Sequence, residues 1–276
     1  MPAAGIEDHE ARLAEIGAGP GETMPLAEAA LRLAGLDRPG SEIAPYLRHL
    51  EELASALSGR ERTGAAARGD ALSTLLHVEH GYGGDRETYD DMVNADLMAV
   101  IDRRKGLPVA LAVLYIETAR RAGWQAWGLD TPGHFLIRVD GDGDRVILDP
   151  FHGGVVVEPP ALRQLIKTYA GPEAELEPRH YEPMADRDVL LRLLNNIRGR
   201  ALQAGDAGRG LEIMRRMLLV APADPRLRLE EAAMKVKTGQ LRAAREAANA
   251  CLALQPEPSL RQQAERLLEM LKRDLN

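Results

Sequence analysis

The chain changes its hydrophobic rhythm twice. From residue 25 to about residue 120, apolar residues recur every three or four positions, the spacing of helices with one buried face. Residues 25–57 read as two helices, PLAEAALRLAGL and SEIAPYLRHLEELASAL, separated by DRPG, with Ser41 placed to cap the second. RGDALSTLLHVEHGYGG reads as a helix stopped by glycines, and MVNADLMAVIDRRKG as a short helix closed by basic residues and Gly106. The strongest helical signal is LPVALAVLYIETARRAGW. Pro108 suits a first turn, Val109, Val113, Ile116 and Ala119 or Arg120 keep helical spacing, and Gly123 closes the element.

The period then falls to two. WQAWGLD, HFLIRVD and RVILDPF predict three strands, and Asp142–Gly143 predicts a tight hairpin turn between the last two. A turn centred there pairs residues whose numbers sum to 285, which sets His134 opposite Phe151 and Leu136 opposite Asp149. His134 and Asp149 become diagonal neighbours on one sheet face, with Cα atoms roughly 7–8 Å apart. The other face carries Phe135, Ile137, Val139, Val146 and Leu148, an apolar set that must be core. The His–Asp face is left to line a cleft.

Past YEPMADRD the pattern is helical and repeats. GDAGRGLEIMRRMLLVAPADP begins at Gly205 and GQLRAAREAANACLALQPEPS at Gly239, an offset of 34 that Pro222 and Pro256 share. A 34-residue helix–turn–helix period is the tetratricopeptide signature. The small residues Gly210 and Ala244 hold equivalent positions, Met217 and Cys251 are mates, and residues 259–275 read as a capping helix.

Composition narrows the function classes. The chain of 276 residues is 45% hydrophobic and 28% charged, which predicts a globular protein of one large or two small domains. The net charge of −7 is uneven: residues 187–276 carry 17 basic against 11 acidic side chains, whereas residues 1–186 carry 18 against 31. This asymmetry argues for two domains. A basic C-terminal face suits an acidic partner; nucleic acid is not expected, because no aromatic residue is interleaved with those arginines. No apolar run reaches the roughly 18 residues of a membrane helix, and the N-terminal stretch is acidic without an apolar signal core. The single cysteine, Cys251, cannot form an internal disulfide, so a reducing cytoplasm is the expected compartment.

A paired His134 and Asp149 would orient and charge an imidazole, which serves as general base for a thiol or hydroxyl. Alone, the pair reads more simply as a hydrogen-bonded staple of the hairpin. The order of helix, strand, His-strand and Asp-strand resembles the papain-like and transglutaminase-like core, and that resemblance implies a nucleophilic cysteine at the start of the central helix, here 107–121, where a helix N-terminus lowers a thiol's pKa. That position holds Leu107, Pro108, Val109 and Ala110, none of them nucleophilic. Cys251 reads as a buried structural thiol, Ser73 is the only serine near a plausible cleft segment, and Thr118 lies mid-helix. Asn94, Pro108, Ala110 and Phe151 are expected to line the cleft; for Asn94 a helix cap is the competing reading. His77 and His80, three apart, could offer two metal ligands with His134, His152 or Asp149, but read more simply as helix-end histidines, so neither metal nor cofactor is expected. HGYGGDRE lacks the lysine and context of a phosphate loop, and RRK at 103–105 reads as a helix terminus.

Taken together, Asn94, Gly106-Leu-Pro108-Val-Ala-Leu111, Tyr115, Pro132-Gly-His-Phe135, Asp149-Pro-Phe151-His-Gly-Gly154 and LLNNI at 193–197 resemble the SirB-type bacterial proteins. The resemblance covers roughly residues 25–275. It implies an α+β transglutaminase-like, or papain-like, core with an antiparallel sheet over residues 20–185, then an all-α tetratricopeptide domain over 187–276. The superfamily's triad is Cys–His–Asp, and only His134 and Asp149 map onto it; the family's usual serine near the helix start is replaced here by Ala110. The expectation is a non-catalytic module that binds a protein or peptide. A hydrolase or transferase using the dyad without a cysteine is the alternative.

Overall fold

The computed structural model describes residues 3–58 and 63–274. The chain divides into two compact units, Met1–Leu193 and Leu194–Asn276.

The first unit opens with helices α1 (Ala3–Ala18), α2 (Leu26–Gly35), α3 (Ala44–Ser58) and α4 (Ala65–Ser73), the last running into a wide turn at Thr74–Glu79. Strand β1 (Gly83–Gly84), a 3-10 turn at Met92–Ala95, α5 (Leu97–Arg103) and β2 (Lys105–Gly106) lead into α6 (Pro108–Arg121). Strands β3 (Gln125–Thr131), β4 (His134–Gly141), β5 (Asp144–Asp149) and β6 (Val155–Val156) form an antiparallel sheet in sequence order. Helix α7 (Pro159–Ala170) follows, and α8 (Asp186–Gln203) spans the boundary between units.

Helix α6 is the centre of this unit. Every residue from Pro108 to Ala119 is buried, as expected of a helix enclosed on all sides rather than one with a wet face. Its one buried acid, Glu117, accepts hydrogen bonds from the Ala27 N–H, which opens α2, and from Arg121. A carboxylate there satisfies a helix-terminal donor that would otherwise be orphaned. One turn on, Arg120 donates to the fully buried Asp186, which also accepts from the Met24 N–H, so the two ends of the unit are tied at one carboxylate.

The hairpin register follows the 285 rule from Gly141↔Asp144 to Ile137↔Leu148. Asp142 and Gly143 take positive φ, 55° and 81°, the left-handed pair that a two-residue turn matching the strand twist requires. Phe135, Ile137, Val139, Val146 and Leu148 are all buried, with α4 packed so closely on the sheet that a Cβ at Gly69 would meet Val146 and Leu148.

Several sequence expectations are corrected. Ser41 does not cap α3: the helix starts at Ala44, and Pro45, which needs no N–H partner, holds its first turn. Helix α5 is capped by Asp96, whose carboxylate accepts from the Ala99 N–H, not by Asn94. It is terminated by Arg104 in the left-handed conformation at φ 62°, not by Gly106, which belongs to β2. The third strand stops at Asp149, because Pro150 cannot donate to a ladder and instead opens a 3-10 turn over Pro150–His152. Phe151 therefore has no place opposite His134, and Asp149 pairs with Val155 of β6. The sheet face that carries His134 is not open along its length: Leu129, Leu136 and Leu162 form a buried cluster there with Ile147, Val157 and Leu176, so α7 covers it.

The second unit contains the end of α8 with α9 (Ala207–Val220), α10 (Pro225–Lys237), α11 (Leu241–Ala253) and α12 (Pro258–Asp274). Helices α9 and α11 begin 34 residues apart, each two residues after a glycine of positive φ, Gly205 or Gly239. Their equivalent positions Met217 and Cys251 are both fully buried. Gly210 is buried, and a Cβ there would press on the side-chain ends of Leu202 and Met234; its mate Ala244 is fully buried. Many arginines of this unit are internally paired, as in Arg198–Glu230, Arg209–Glu212 and Arg226–Asp224.

Candidate functional site

The site is built on a turn. Asp149 ends β5, and its Oδ1 accepts from the backbone N–H groups of Phe151 and His152, capping the 3-10 turn that Pro150 begins. In a 3-10 turn residues i and i+3 eclipse, so Asp149 and His152 stand on the same side. The His152 Nδ1 lies 2.7 Å from Asp149 Oδ2. From the neighbouring strand, His134 brings its Nε2 to 2.7 Å from that same Oδ2. The two imidazoles stack, with centroids 5.8 Å apart. Asp149 thus has two backbone donors on one oxygen and two imidazoles on the other.

Electrostatics follow from this crowding. Burial pushes the Asp149 carboxyl upward, but hydrogen bonds and charge from His134 and His152 outweigh it and hold the group below its ordinary range. Tyr115 of α6 lies close by. Its phenol is buried, has no hydrogen-bond partner among the described residues, and is pushed well up by burial and by the Asp149 charge. His134 and Asp149 side chains are only 13% and 8% exposed, whereas His152 is 43% exposed and gives the site its open side.

The glycines that follow set the close packing. Gly153 and Gly154 have φ of 76° and 75°. A Cβ on Gly153 would strike the His77 ring at 2.5 Å, and one on Gly154 would strike Ser73 Oγ at 2.3 Å. Phe151 seats its ring against Gly84 and edge-on to Tyr89, with centroids 5.7 Å apart.

The other candidates separate. Pro108, Val109 and Ala110 are buried in the first turn of α6 and offer neither thiol nor hydroxyl. Ser73 donates its hydroxyl to the Gly154 carbonyl at 2.6 Å. Asn94 is fully buried, and its side-chain partners lie outside the dyad: its amide donates to the Thr88 carbonyl and its oxygen accepts from Arg103, which also pairs with Asp85. Its own carbonyl accepts from the Leu107 N–H at 2.8 Å, so Asn94 anchors the entry to α6. His77 Nδ1 meets the Tyr82 carbonyl at 2.8 Å, and His80 packs edge-on to His49. Sequence reasoning passed over His152 as a close partner of the dyad. The usable signal was Asp-Pro-x-His, in which an aspartate before proline caps a turn that brings the histidine round.

A buried central helix against an antiparallel sheet, with histidine and aspartate on successive strands and helical repeats after it, defines a transglutaminase-like architecture joined to tetratricopeptide repeats. Residues 44–195 match the model of the transglutaminase-like superfamily, and residues 197–272 match a tetratricopeptide repeat model. The chain belongs to the transglutaminase-like superfamily. It is 29% identical over 214 residues to a UPF0162 protein of Xylella fastidiosa, covering 74% of each chain. It is 31% identical over 209 residues to a UPF0162 protein of Vibrio cholerae, covering 74% of this chain and 76% of that one. Protein SirB1 of Salmonella typhimurium is more distant, 23% identical over 176 residues and 63% of each chain. No solved structure matches the chain. Among the described residues, no helix is long and apolar enough to cross a membrane.

Proposed function

We propose that this protein is a non-catalytic member of the superfamily, in which the transglutaminase-like unit and the repeats bind a protein or peptide. The observation that carries the reading is the first turn of α6. Acyl transfer of the superfamily's kind needs a thiolate beside the imidazole, and Leu107, Pro108, Val109 and Ala110 supply no such group. The hydroxyl that comes nearest in function, Ser73, is committed to the Gly154 carbonyl rather than to a histidine. The shared Asp149 oxygen then serves to lock strand, turn and hairpin together. Stacked helix pairs are in general scaffolds with extended binding surfaces, which supports the interaction role.

A second reading has one observation in its favour. The orienting half of a triad is intact, with His134 and Asp149 in contact at 2.7 Å, so the dyad could activate water or a substrate hydroxyl. The two readings part in an amine-incorporation and peptide-cleavage assay on purified protein, wild type against His134→Ala. Neither protein is expected to turn over above background, because loss of the nucleophile alone from a triad typically costs several orders of magnitude in rate. Turnover that disappears in His134→Ala would overturn the non-catalytic reading and install the dyad as an enzyme.

A further inference from the structure

Three donor atoms, one each from His134, Asp149 and His152, lie within 4.8 Å of one another. We propose that these residues form a binding site for one divalent transition-metal ion of the iron-to-zinc class. The inference stands on donor geometry and chemistry, and does not depend on the binding-module reading.

Two imidazole nitrogens face one carboxylate oxygen. Zinc binds imidazole nitrogen and carboxylate oxygen at about 2.0–2.2 Å, so neighbouring ligands around one ion sit roughly 3 Å or a little more apart. Both imidazole nitrogens are 2.7 Å from Asp149 Oδ2. A small outward movement of the donors is enough to admit an ion between them. The ring hydrogens that now face Oδ2 would pass to each ring's other nitrogen or leave as protons.

The donors are also held in place. Asp149 is aimed by the Phe151 and His152 N–H groups on its second oxygen, the kind of outer support that orients a ligating carboxylate. His152 is fixed to Asp149 through the 3-10 turn, and His134 projects from the regular strand β4. Phe151 and Gly153, packed against Gly84 and His77, leave the turn little freedom to splay.

The donor set decides the class of ion. Two neutral imidazoles and one carboxylate suit zinc, cobalt, nickel and ferrous iron, whereas calcium and magnesium call for a cage of oxygens. Three protein ligands with a half-exposed His152 leave room for water or a partner's side chain to complete the shell. A metal bridging β4 to the turn after β5 would stabilise the hairpin end without adding a nucleophile to α6.

The test uses the full chain, stripped with a chelator and dialysed, titrated with zinc by calorimetry and with cobalt by its visible absorption. One equivalent of each is expected to bind. His152→Ala should weaken binding by about a hundredfold, at least the size of losing an outer-shell partner. His152 is exposed, so its removal leaves the core packed, and circular dichroism checks that the fold is native. His80→Ala, outside the group, should bind as wild type does. Three results would each overturn the site: no saturable binding of either ion, binding unchanged in His152→Ala, or an equal loss in His80→Ala.

Discussion

Replacing Gly154 by alanine should be among the most damaging small changes in the first unit, and the structure separates the cost into two parts. The first is conformational. At φ 75° an L-residue presses its Cβ toward the following carbonyl, which costs about 1–2 kcal/mol. The second is steric. The new Cβ would lie 2.3 Å from Ser73 Oγ, 2.9 Å from Ser73 Cβ and 3.0 Å from Tyr115 Cε1. Ser73 cannot swing aside without losing its 2.6 Å hydrogen bond to the Gly154 carbonyl, and Tyr115 is fully buried in α6. Overpacking of this kind costs about 1–3 kcal/mol, so the total is about 2–5 kcal/mol. Gly143→Ala provides the control: it has φ 81° but no described atom within 4 Å, so it carries the conformational part alone, about 1–2 kcal/mol. Urea unfolding followed by tryptophan fluorescence reads the difference. Both tryptophans, Trp124 and Trp127, lie in the first unit, so the signal follows that unit even where the repeats unfold separately. A Gly154→Ala protein within about 0.5 kcal/mol of Gly143→Ala, the scale of an ordinary surface change, would refute the packing argument at the turn.

Two further outcomes follow from the same reasoning. Cys251 is fully buried, and burial with the nearby Asp224 charge pushes its thiol up; a thiol reagent should therefore label native protein slowly and urea-unfolded protein fast, and rapid native labelling would contradict the repeat register that equates it with Met217. Asp85 is held far below the carboxylate range, first by the backbone N–H and hydroxyl of Thr88, then by Arg103 and the Glu87 N–H, against the opposing push of burial. Its folded pKa lies below the unfolded value, so its stabilising contribution is complete above about pH 4 and is lost as pH falls through the folded value. Stability of wild type should fall more steeply with acid than that of Asp85→Asn, and parallel curves would show that the carboxylate contributes nothing there.

Local order was legible in the residues themselves because it rests on short-range sterics and periodicity. Pro108 and the apolar run behind it specified α6, Asp142–Gly143 specified the hairpin register through its left-handed turn, and the 34-residue offset specified α9 and α11 with their buried Met217 and Cys251. That residues 107–110 carry neither thiol nor hydroxyl is likewise a property of sequence alone. Tertiary structure decided what depends on competition between neighbours. Asp96 and Asn94 both have capping chemistry, and only the buried network with Thr88 and Arg103 withdraws Asn94 from that role. Gly106 and Arg104 both stand near the end of α5, and the pairing of Gly106 into β2 leaves the left-handed position to the arginine. Alternation along β4 left the His134 face without a cover, yet a cluster that includes Leu162 of α7, distant in sequence, buries Leu136 on it. His152 joins the site for the same kind of reason. Pro150 ends the ladder, Asp149 caps the turn that results, and the folded turn, not the strand pattern, carries a second imidazole to the oxygen that His134 already meets.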